Sequence, residues 1–235
     1  MKETMVKPLT DQQLDRLLDF IGYGRLDADV WFLGMEEAGG GEANIHTRAS
    51  FQKVEDCAHA HKRLGITKFH WGKRVIQPTW RGMCYIMLRL EDVEPTKSNI
   101  RQYQAEKLGR YEGNTLLTEL MPIPKPKVSQ WGYEELIPQF ASCADYYARV
   151  KPMRVQYLGQ VLKDYKPGVV IGYGKSFWSA YKELFAGIRF APNGQFEVGF
   201  DGTTLVILTG HFTARTMNGR FDDIVSIIKD SEVLE

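Results

Sequence analysis

The chain contains few cysteines and no long apolar run, and both absences exclude classes of protein. Its 235 residues include 3 cysteines, Cys57, Cys84 and Cys143, which are widely spaced and form no C-x-x-C pair. This spacing argues against a zinc ribbon, an iron–sulfur cluster supplied by this chain alone and a disulfide framework, and it fits a reducing compartment. No apolar segment approaches the ~20 residues that span a bilayer, and the charged N-terminus has no signal-peptide core. We therefore expect a cytoplasmic protein with no membrane partner.

Net charge says little about partners, because 30 basic residues face 29 acidic ones. The hydrophobic content of 43% and the charged content of 25% are ordinary for a globular protein. A chain of this length can bury a full core. We expect a single domain over residues 1–235 and no cofactor. The composition does not indicate an oligomeric state.

Acidic residues are missing from one long segment, Cys57 to Leu90. That segment holds seven basic residues, with aromatic side chains between them: Lys62, Arg63, Lys68, Lys73, Arg74, Arg81 and Arg89, with Phe69, Trp71, Trp80 and Tyr85. Such interleaving suits phosphate contacts together with base stacking. An equally weighted alternative is a basic face that pairs with nearby acids such as Glu91, Asp92 and Glu94. The histidines of this region, His59, His61 and His70, lack a metal-ligand spacing, so we expect surface residues and no metal site.

Four short apolar runs predict buried strands, over residues 29–33, 114–121, 168–172 and 204–208. Helices are predicted between and around them, over residues 10–21, 80–90, 145–165, 175–185 and 221–229, with a polar helix over residues 96–109. Continuous apolar strands that alternate with helices are typical of a parallel sheet covered on both faces. The predicted fold is α/β: three-layer α/β/α with a central, mainly parallel four-stranded sheet.

Proline and glycine refine these boundaries. The run Pro122-Ile-Pro-Lys-Pro126 is expected to end the second strand, since proline cannot donate to a ladder. Pro152 is expected to begin the main part of the long helix. Residues 196–200 predict a hairpin arm that turns at Asp201-Gly202.

Three of the four predicted strands end in polar loops marked by glycine or proline, over residues 34–41, 122–127 and 209–215. In an open α/β sheet such loops meet at the carboxyl edge, where ligands bind. The first of them, after Val30–Leu33, carries Glu36 and Glu37 and three consecutive glycines. It predicts a binding site, with an ordinary surface loop as the equally weighted alternative.

The order of these segments resembles the uracil-DNA glycosylase superfamily over roughly residues 10–230. Gly34-Met-Glu-Glu-Ala38 occupies the place of that family's Gly-x-x-Pro-Gly motif, and Leu116-Leu-Thr-Glu-Leu-Met-Pro-Ile-Pro124 is similar to its base-reading strand and proline-rich turn. Val169-Val-Ile-Gly-Tyr-Gly-Lys-Ser176 and Thr209-Gly-His-Phe-Thr-Ala-Arg215 stand in the places of the Gly-Lys strand and the final His-Pro-Ser motif. Glu37 and Ala38 replace the first motif's Pro-Gly, and Phe212-Thr213 replaces the last motif's Pro-Ser. The iron–sulfur cysteines of some branches are missing.

The resemblance implies removal of a base from DNA or from a nucleotide, as in DNA repair. By position, Glu36 would orient water and His211 would stabilise the departing base as the two catalytic residues. The implied substrate contacts are Gly34, Met35, Glu37, Trp80, Glu119, Lys175, Thr213 and Arg215. Lys175 or Arg215 would assist or hold phosphate, and Phe69, Trp71 or Trp80 would stack on a flipped base. Glu37 also fits an exposed loop residue, and Trp80 fits a core position equally well.

Glu119 (or Thr118, if the register slips by one) stands where the family has a base-reading asparagine. Asparagine offers a donor and an acceptor, whereas an ionised glutamate offers acceptors only. If Glu119 faces the pocket in that state, we expect either a preference for an amino-bearing base or a protein that is not a uracil glycosylase. Two other functions remain open: a non-catalytic nucleic-acid-binding module of the same fold, and an α/β enzyme that binds a free nucleotide.

Overall fold

The computed structural model describes residues 6–127 and 130–234 and forms a mixed α/β fold around one sheet. Its eight strands are β1 (Gly22–Gly24), β2 (Val30–Ala38), β3 (Val54–Glu55), β4 (Thr115–Lys125), β5 (Val169–Tyr173), β6 (Ala191–Asn193), β7 (Phe196–Phe200) and β8 (Leu205–Thr209). Their order across the sheet is β3-β1-β4-β2-β5-β8-β7-β6. The mixed α/β class is therefore confirmed.

The four predicted strands are the central ones, β4-β2-β5-β8, and every neighbouring pair among them is parallel. Val30 pairs with Thr115 on one side and with Val169 on the other, which places β2 at the middle of the group. These strands are buried on both faces, which explains why their sequences are nearly continuous apolar runs.

The expected strand number of four was wrong, because four more strands extend the sheet at both edges. The strand β1 pairs antiparallel with β4 and parallel with β3, while β7 pairs antiparallel with β8 and with β6. Strands of two or three residues, such as β1, β3 and β6, are too short to show a periodicity in sequence. The hairpin arm at residues 196–200 is confirmed, since β7 turns back onto β8 through Asp201-Gly202.

Eight α-helices cover the two faces of the sheet in the described part of the chain: α1 (Asp11–Asp19), α2 (Glu42–Arg48), α3 (Cys57–Arg63), α4 (Pro78–Leu90), α5 (Lys97–Glu106), α6 (Cys143–Tyr165), α7 (Trp178–Leu184) and α8 (Phe221–Asp230). Residues of α1, α6 and α7 form one apolar core with the sheet. Residues of α3, α4, α5 and α8 form a second core on the opposite face. The structure is thus layered as helix, sheet and helix.

Prolines do not end β4, contrary to the sequence expectation. The strand continues to Lys125, which pairs with Ala38 of β2. Its other neighbour, β1, pairs with β4 only up to Thr118. Pro122 and Pro124 therefore lie beyond the end of β1, where a missing N–H breaks no β1–β4 bond.

Helix α6 begins earlier than Pro152, because Ser142 caps its N-terminus by accepting a hydrogen bond from the Asp145 backbone N–H. Pro152 instead lies inside this 23-residue helix. A proline there removes one helical hydrogen bond, which the long apolar face of α6 compensates by packing on the sheet.

Arg154 of α6 is buried and binds three backbone carbonyls from two segments of the chain. Its guanidinium donates to the carbonyls of Leu120 at 3.0 Å, Glu119 at 3.1 Å and Leu18 at 3.0 Å. Burial lowers the pKa of Arg154 to about 10, so the group stays charged at neutral pH. The contact holds α6 and the end of α1 on the middle of β4, immediately beside Glu119.

No helix among the described residues is both long enough and apolar enough to cross a membrane.

Replacement of Arg154 by methionine should destabilise the fold by ~3 kcal/mol or more, since it leaves three buried carbonyls without their charged donor. Urea denaturation measures the loss. Lys163→Met, at an exposed position of the same helix, is the matched control and should change the unfolding free energy little. Equal stability of the two variants would contradict the anchoring role of Arg154.

Candidate functional site

A cleft of about 250 Å³ opens at the carboxyl edge of the central strands. The chain passes from β2 to β4 on one side of β2, and later to β5 on the other side. This reversal of strand order creates the crevice in which α/β proteins bind ligands. The cleft is bordered by residues from β1, β2, β4, β5 and α4, including Tyr23, Glu37, Trp80, Glu119 and Tyr173.

Aromatic side chains form one wall of the cleft. Trp80 stacks on His61 with ring centres 5.3 Å apart and planes 16° apart, and Phe69 lies 5.5 Å from Trp80. Trp80 is half-buried and borders the cleft, so it is both packed from behind and accessible from the front. A flat, apolar ligand would find a stacking surface here.

Glu37 is held at the cleft by two buried partners. Arg48 of α2 donates to one carboxylate oxygen at 2.7 Å, and the Tyr23 hydroxyl donates to the other at 3.0 Å. Arg48 also donates to the Tyr23 oxygen at 2.7 Å. Burial alone raises the pKa of Glu37, but the Arg48 charge and hydrogen bonds outweigh it and leave that pKa below its ordinary value. Glu37 is therefore ionised. Its side chain extends from β2 and is fixed by hydrogen bonds, so the alternative of an exposed loop residue does not apply.

Glu119 lines the same cleft from β4. Tyr173 of β5 donates to its Oε1 at 2.9 Å, while its Oε2 is buried and has no hydrogen-bond partner. The carboxyl group lies directly over Gly34: a methyl group added to that glycine would lie 2.0 Å from Glu119 Oε2 and 2.4 Å from the Tyr173 oxygen. Because Gly34 has no side chain, the Glu119 carboxyl group and the Tyr173 hydroxyl can lie in contact above it.

Burial raises the pKa of Glu119 to about 8; the Tyr173 hydrogen bond opposes this effect, and the charges of Glu37 and Glu36 add to it. Glu119 is consequently mostly protonated at neutral pH and offers both an O–H donor and acceptor oxygens. The sequence hypothesis treated Glu119 as ionised. A neutral Glu119 offers both a donor and an acceptor, as does the asparagine at this position of the family motif.

Glu36 lies away from this cleft. The Tyr147 hydroxyl donates to its Oε2 at 2.6 Å, and Lys125 Nζ lies 3.1 Å from the same oxygen. Burial raises the pKa of Glu36 and outweighs the effects of Tyr147 and Lys125, which lower it. Gly34 faces Glu119, so regular alternation along β2 predicts Glu36 on the cleft side. The β2–β4 register shifts between Glu36 and Ala38, and Glu37 borders the cleft instead.

A second hollow of about 330 Å³ lies beside the first and contains His211 and Lys175. His211 is exposed on one side; its Nδ1 lies 2.8 Å from the Thr213 hydroxyl, and partial desolvation of its ring lowers its pKa. Arg215, also exposed, begins the short 3-10 helix that follows. Of the remaining predicted contacts, Met35 is buried in the core shared with α1 and α6 and does not border either hollow.

Tyr173 connects the two hollows. Its hydroxyl reaches Glu119, and its ring contacts His211 at 5.6 Å and stacks on Phe212 at 5.1 Å. The predicted residues therefore separate into two adjacent groups: Glu37, Trp80 and Glu119 over Gly34 in the first, and His211, Lys175 and Thr213 in or beside the second.

The basic segment is only partly neutralised. Arg63, Arg74 and Arg89 form ion pairs with acids outside the segment. Lys62, Lys68, Lys73 and Arg81 are exposed and have no acidic partner within the described ranges, 6–127 and 130–234. The same segment contributes Phe69 and Trp80 to the cleft, so an uncompensated basic surface adjoins an aromatic wall.

Three residues that organise the cleft were missed in sequence: Tyr23, Arg48 and Tyr173. Tyr173 had a signal, because it stands between two glycines at the end of a predicted strand. Arg48 had none, since α2 lies in the segment with the weakest periodicity. The expectation that His61 and His70 are surface residues was wrong, as each is only 3% exposed. His61 follows Cys57 by one turn of α3 and shares its buried face.

No protein-family model matches the chain, and no curated protein matches it. The fold and the site define a mixed α/β protein. Its sheet is mainly parallel, and a cleft with two carboxyl groups lies at the carboxyl edge of the central strands.

The free energy of unfolding should depend on pH because Glu119 is buried in its protonated form. The pKa of this group lies above its unfolded value, so the stabilisation is complete below about pH 4.5 and is lost as pH rises through about pH 8. Glu119→Gln stays uncharged. Relative to the wild type it should gain stability from about pH 5 to about pH 9, by ~1.4 kcal/mol per unit of pKa shift. Denaturant titrations at both pH values measure the unfolding free energies, and Glu135→Gln, at an exposed position, is the control. If the difference in unfolding free energy between Glu119→Gln and the wild type is the same at both pH values, Glu119 is not neutral in the folded protein.

Gly34→Ala should move the Glu119 carboxyl group, because the new methyl group occupies its position. We expect loss of the Tyr173 hydrogen bond and a fall of the Glu119 pKa toward its ordinary value as the carboxyl group becomes hydrated. NMR titration of the glutamate carboxyl carbons measures that pKa. Gly159→Ala on α6, where the nearest atom is 3.6 Å from the added carbon, is the control and should leave the Glu119 titration in place.

Proposed function

We propose that the chain hydrolyses the N-glycosidic bond between a nucleobase and its sugar, with a nucleobase in DNA or a nucleotide as substrate. The observation that carries this proposal is the pairing of an ionised Glu37 with a neutral Glu119 in one aromatic-walled cleft. Two carboxyl groups whose environments separate their pKa values supply an acceptor and a donor at the same pH.

The departing base requires a donor. Glu119 in its protonated form donates from the side that does not accept from Tyr173, which suits a carbonyl oxygen that gains negative charge as the bond breaks. The sugar requires a negative group, because positive charge develops on it. Glu37 supplies that charge, and each of its oxygens retains a lone pair with which to orient water.

The surroundings fit a base taken out of its stack. Trp80 and Phe69 offer stacking faces, and exposed Lys62, Lys68, Lys73 and Arg81 suit the phosphates of a nucleic acid. On the other side of Tyr173, Lys175 and Arg215 add positive charge and His211 adds a hydrogen-bonding ring. We assign this second hollow to sugar-phosphate contacts.

The resemblance seen in sequence supports the same proposal. Its four motifs fall on β2, β4, β5 and β8, which are the four adjacent parallel strands. Because parallel strands end at one edge, the motif residues converge there. The water-orienting role moves from Glu36 to Glu37, the neighbour that borders the cleft.

Base release from oligonucleotides containing uracil, hypoxanthine or a damaged base tests this function. We expect release by the wild type, a loss of at least ~100-fold in Glu37→Gln, and a decline as pH rises through about pH 8 that Glu119→Gln abolishes. Glu36→Gln is the matched control, since the Glu36 side chain contacts Tyr147 and Lys125 and does not border the cleft, and it should retain most of the rate. Wild-type activity that survives Glu37→Gln would contradict the assignment, and absence of release from every substrate by folded protein would contradict hydrolysis.

A second candidate is a non-catalytic module that binds nucleic acid through the same surface. One observation favours it: both oxygens of Glu37 already accept hydrogen bonds, from Arg48 and Tyr23. This function predicts salt-dependent binding that Glu37→Gln leaves unchanged, with no base release. Lys73→Ala combined with Arg81→Ala should weaken binding under either candidate.

A further inference from the structure

Three metal-ligating side chains meet behind the aromatic wall of the cleft: Cys57, His61 and His70. Cys57 begins α3, His61 lies one turn later on the same face, and His70 follows in the loop before α4. The exposed fractions are 0% for Cys57 and 3% for each histidine. They form the one group of three such ligand atoms found among the described residues.

The donor atoms are close enough to share one ion. His70 Nε2 lies 3.1 Å from His61 Nδ1 and 4.0 Å from Cys57 Sγ, and all three atoms lie within 4.8 Å of one another. A tetrahedral zinc ion with nitrogen at ~2.0 Å and sulfur at ~2.3 Å separates two nitrogens by ~3.3 Å and a nitrogen and a sulfur by ~3.6 Å. Small rotations of the imidazole rings would bring the three donors to this geometry.

The facing histidine nitrogens offer a lone pair to the cluster. His61 Nδ1 and His70 Nε2 can share only a single N–H, so at least one of the two nitrogens is unprotonated when both rings are neutral. Each histidine faces the cluster through one ring nitrogen. A neutral imidazole has the lone pair that a metal requires.

One acidic residue adjoins the cluster. Asp56 precedes Cys57 in the chain, is buried, and is paired with Arg110 at 2.7 Å. A bound dication would convert the thiol to a thiolate, as coordination does generally.

We propose that Cys57, His61 and His70 bind one Zn²⁺ ion. One thiolate and two imidazoles suit zinc, and three protein ligands leave a fourth position for water or another ligand atom. The ion fastens the loop around His70 to α3. It also fixes the ring of His61 on which Trp80 stacks, so it sets the position of the aromatic wall.

Metal analysis of the full-length protein tests the site independently of any base release. We expect one equivalent of zinc in the purified protein, its removal by a strong chelator with a fall in Tm, and recovery of the Tm on addition of Zn²⁺. Co²⁺ in place of Zn²⁺ should give a thiolate-to-cobalt charge-transfer band, which reports coordination by cysteine. No uptake of either metal by folded wild type, or a cobalt complex without that band, would overturn the proposal.

Variants identify the ligands. His70→Ala and Cys57→Ser should each weaken Zn²⁺ binding at least 100-fold, measured by competition with a chromophoric chelator. His59→Ala is the matched control, because His59 lies on α3 but its side chain is 69% exposed, and it should bind zinc as the wild type does. Undiminished affinity in His70→Ala would overturn the site. If the ligand variants fail to fold, the cobalt spectrum of the wild type decides alone.

Discussion

The register shift at the end of β2 and β4 is the constraint on which the organisation of the site depends. Up to Gly34 and Glu119 the two strands pair residue for residue, and beyond Glu36 the pairing skips toward Lys125 across two prolines. The shift places Lys125 beside Ala38, where its ammonium group reaches Glu36, while Glu37 borders the cleft. Neighbouring carboxylates of one strand therefore belong to two different environments.

Charge state follows from these environments. Glu37 faces a guanidinium and a phenol and remains ionised, whereas Glu119 faces one phenol and a glycine surface and retains its proton. Both carboxyl groups are buried to a similar degree by the same aromatic and aliphatic walls, so the difference lies in their partners. Arg48 is the residue that separates them, because it approaches Glu37 and leaves Glu119 with only a weaker, longer-range effect.

The aromatic wall and the buried histidines form one unit. Trp80 contacts the cleft with one face and His61 with the other, and His61 in turn contacts His70. A change that moves the histidine cluster would therefore be transmitted to the surface on which we place the base. The uncompensated basic residues of the same segment lie on its solvent side, so residues 57–90 combine a buried polar cluster, a stacking face and a charged exterior.

Much of the central fold could be predicted from sequence, because buried parallel strands leave continuous apolar runs such as Val169–Tyr173 and Leu205–Thr209, and because amphipathic helices leave a periodic stripe. The carboxyl-edge location of the site followed from the loops after those strands. Strand number did not follow, since Gly22–Gly24 and Val54–Glu55 become strands only by pairing with distant residues.

The site itself was only partly determined by sequence. Motif positions and composition identified four residues of the site: Glu37, Trp80, Glu119 and His211. The face of the sheet on which each residue lies depends on strand register. The protonation of Glu119 depends on its burial beside Gly34 and Tyr173. Arg48, Cys57 and His70 contact partners that are 9 to 25 residues away in the chain, and no local pattern records such contacts. The sequence by itself determined the α/β alternation and the residues available at the sheet edge; only the tertiary structure decided which carboxylates, aromatic rings and histidines meet, because that choice is made by packing between segments distant in the chain.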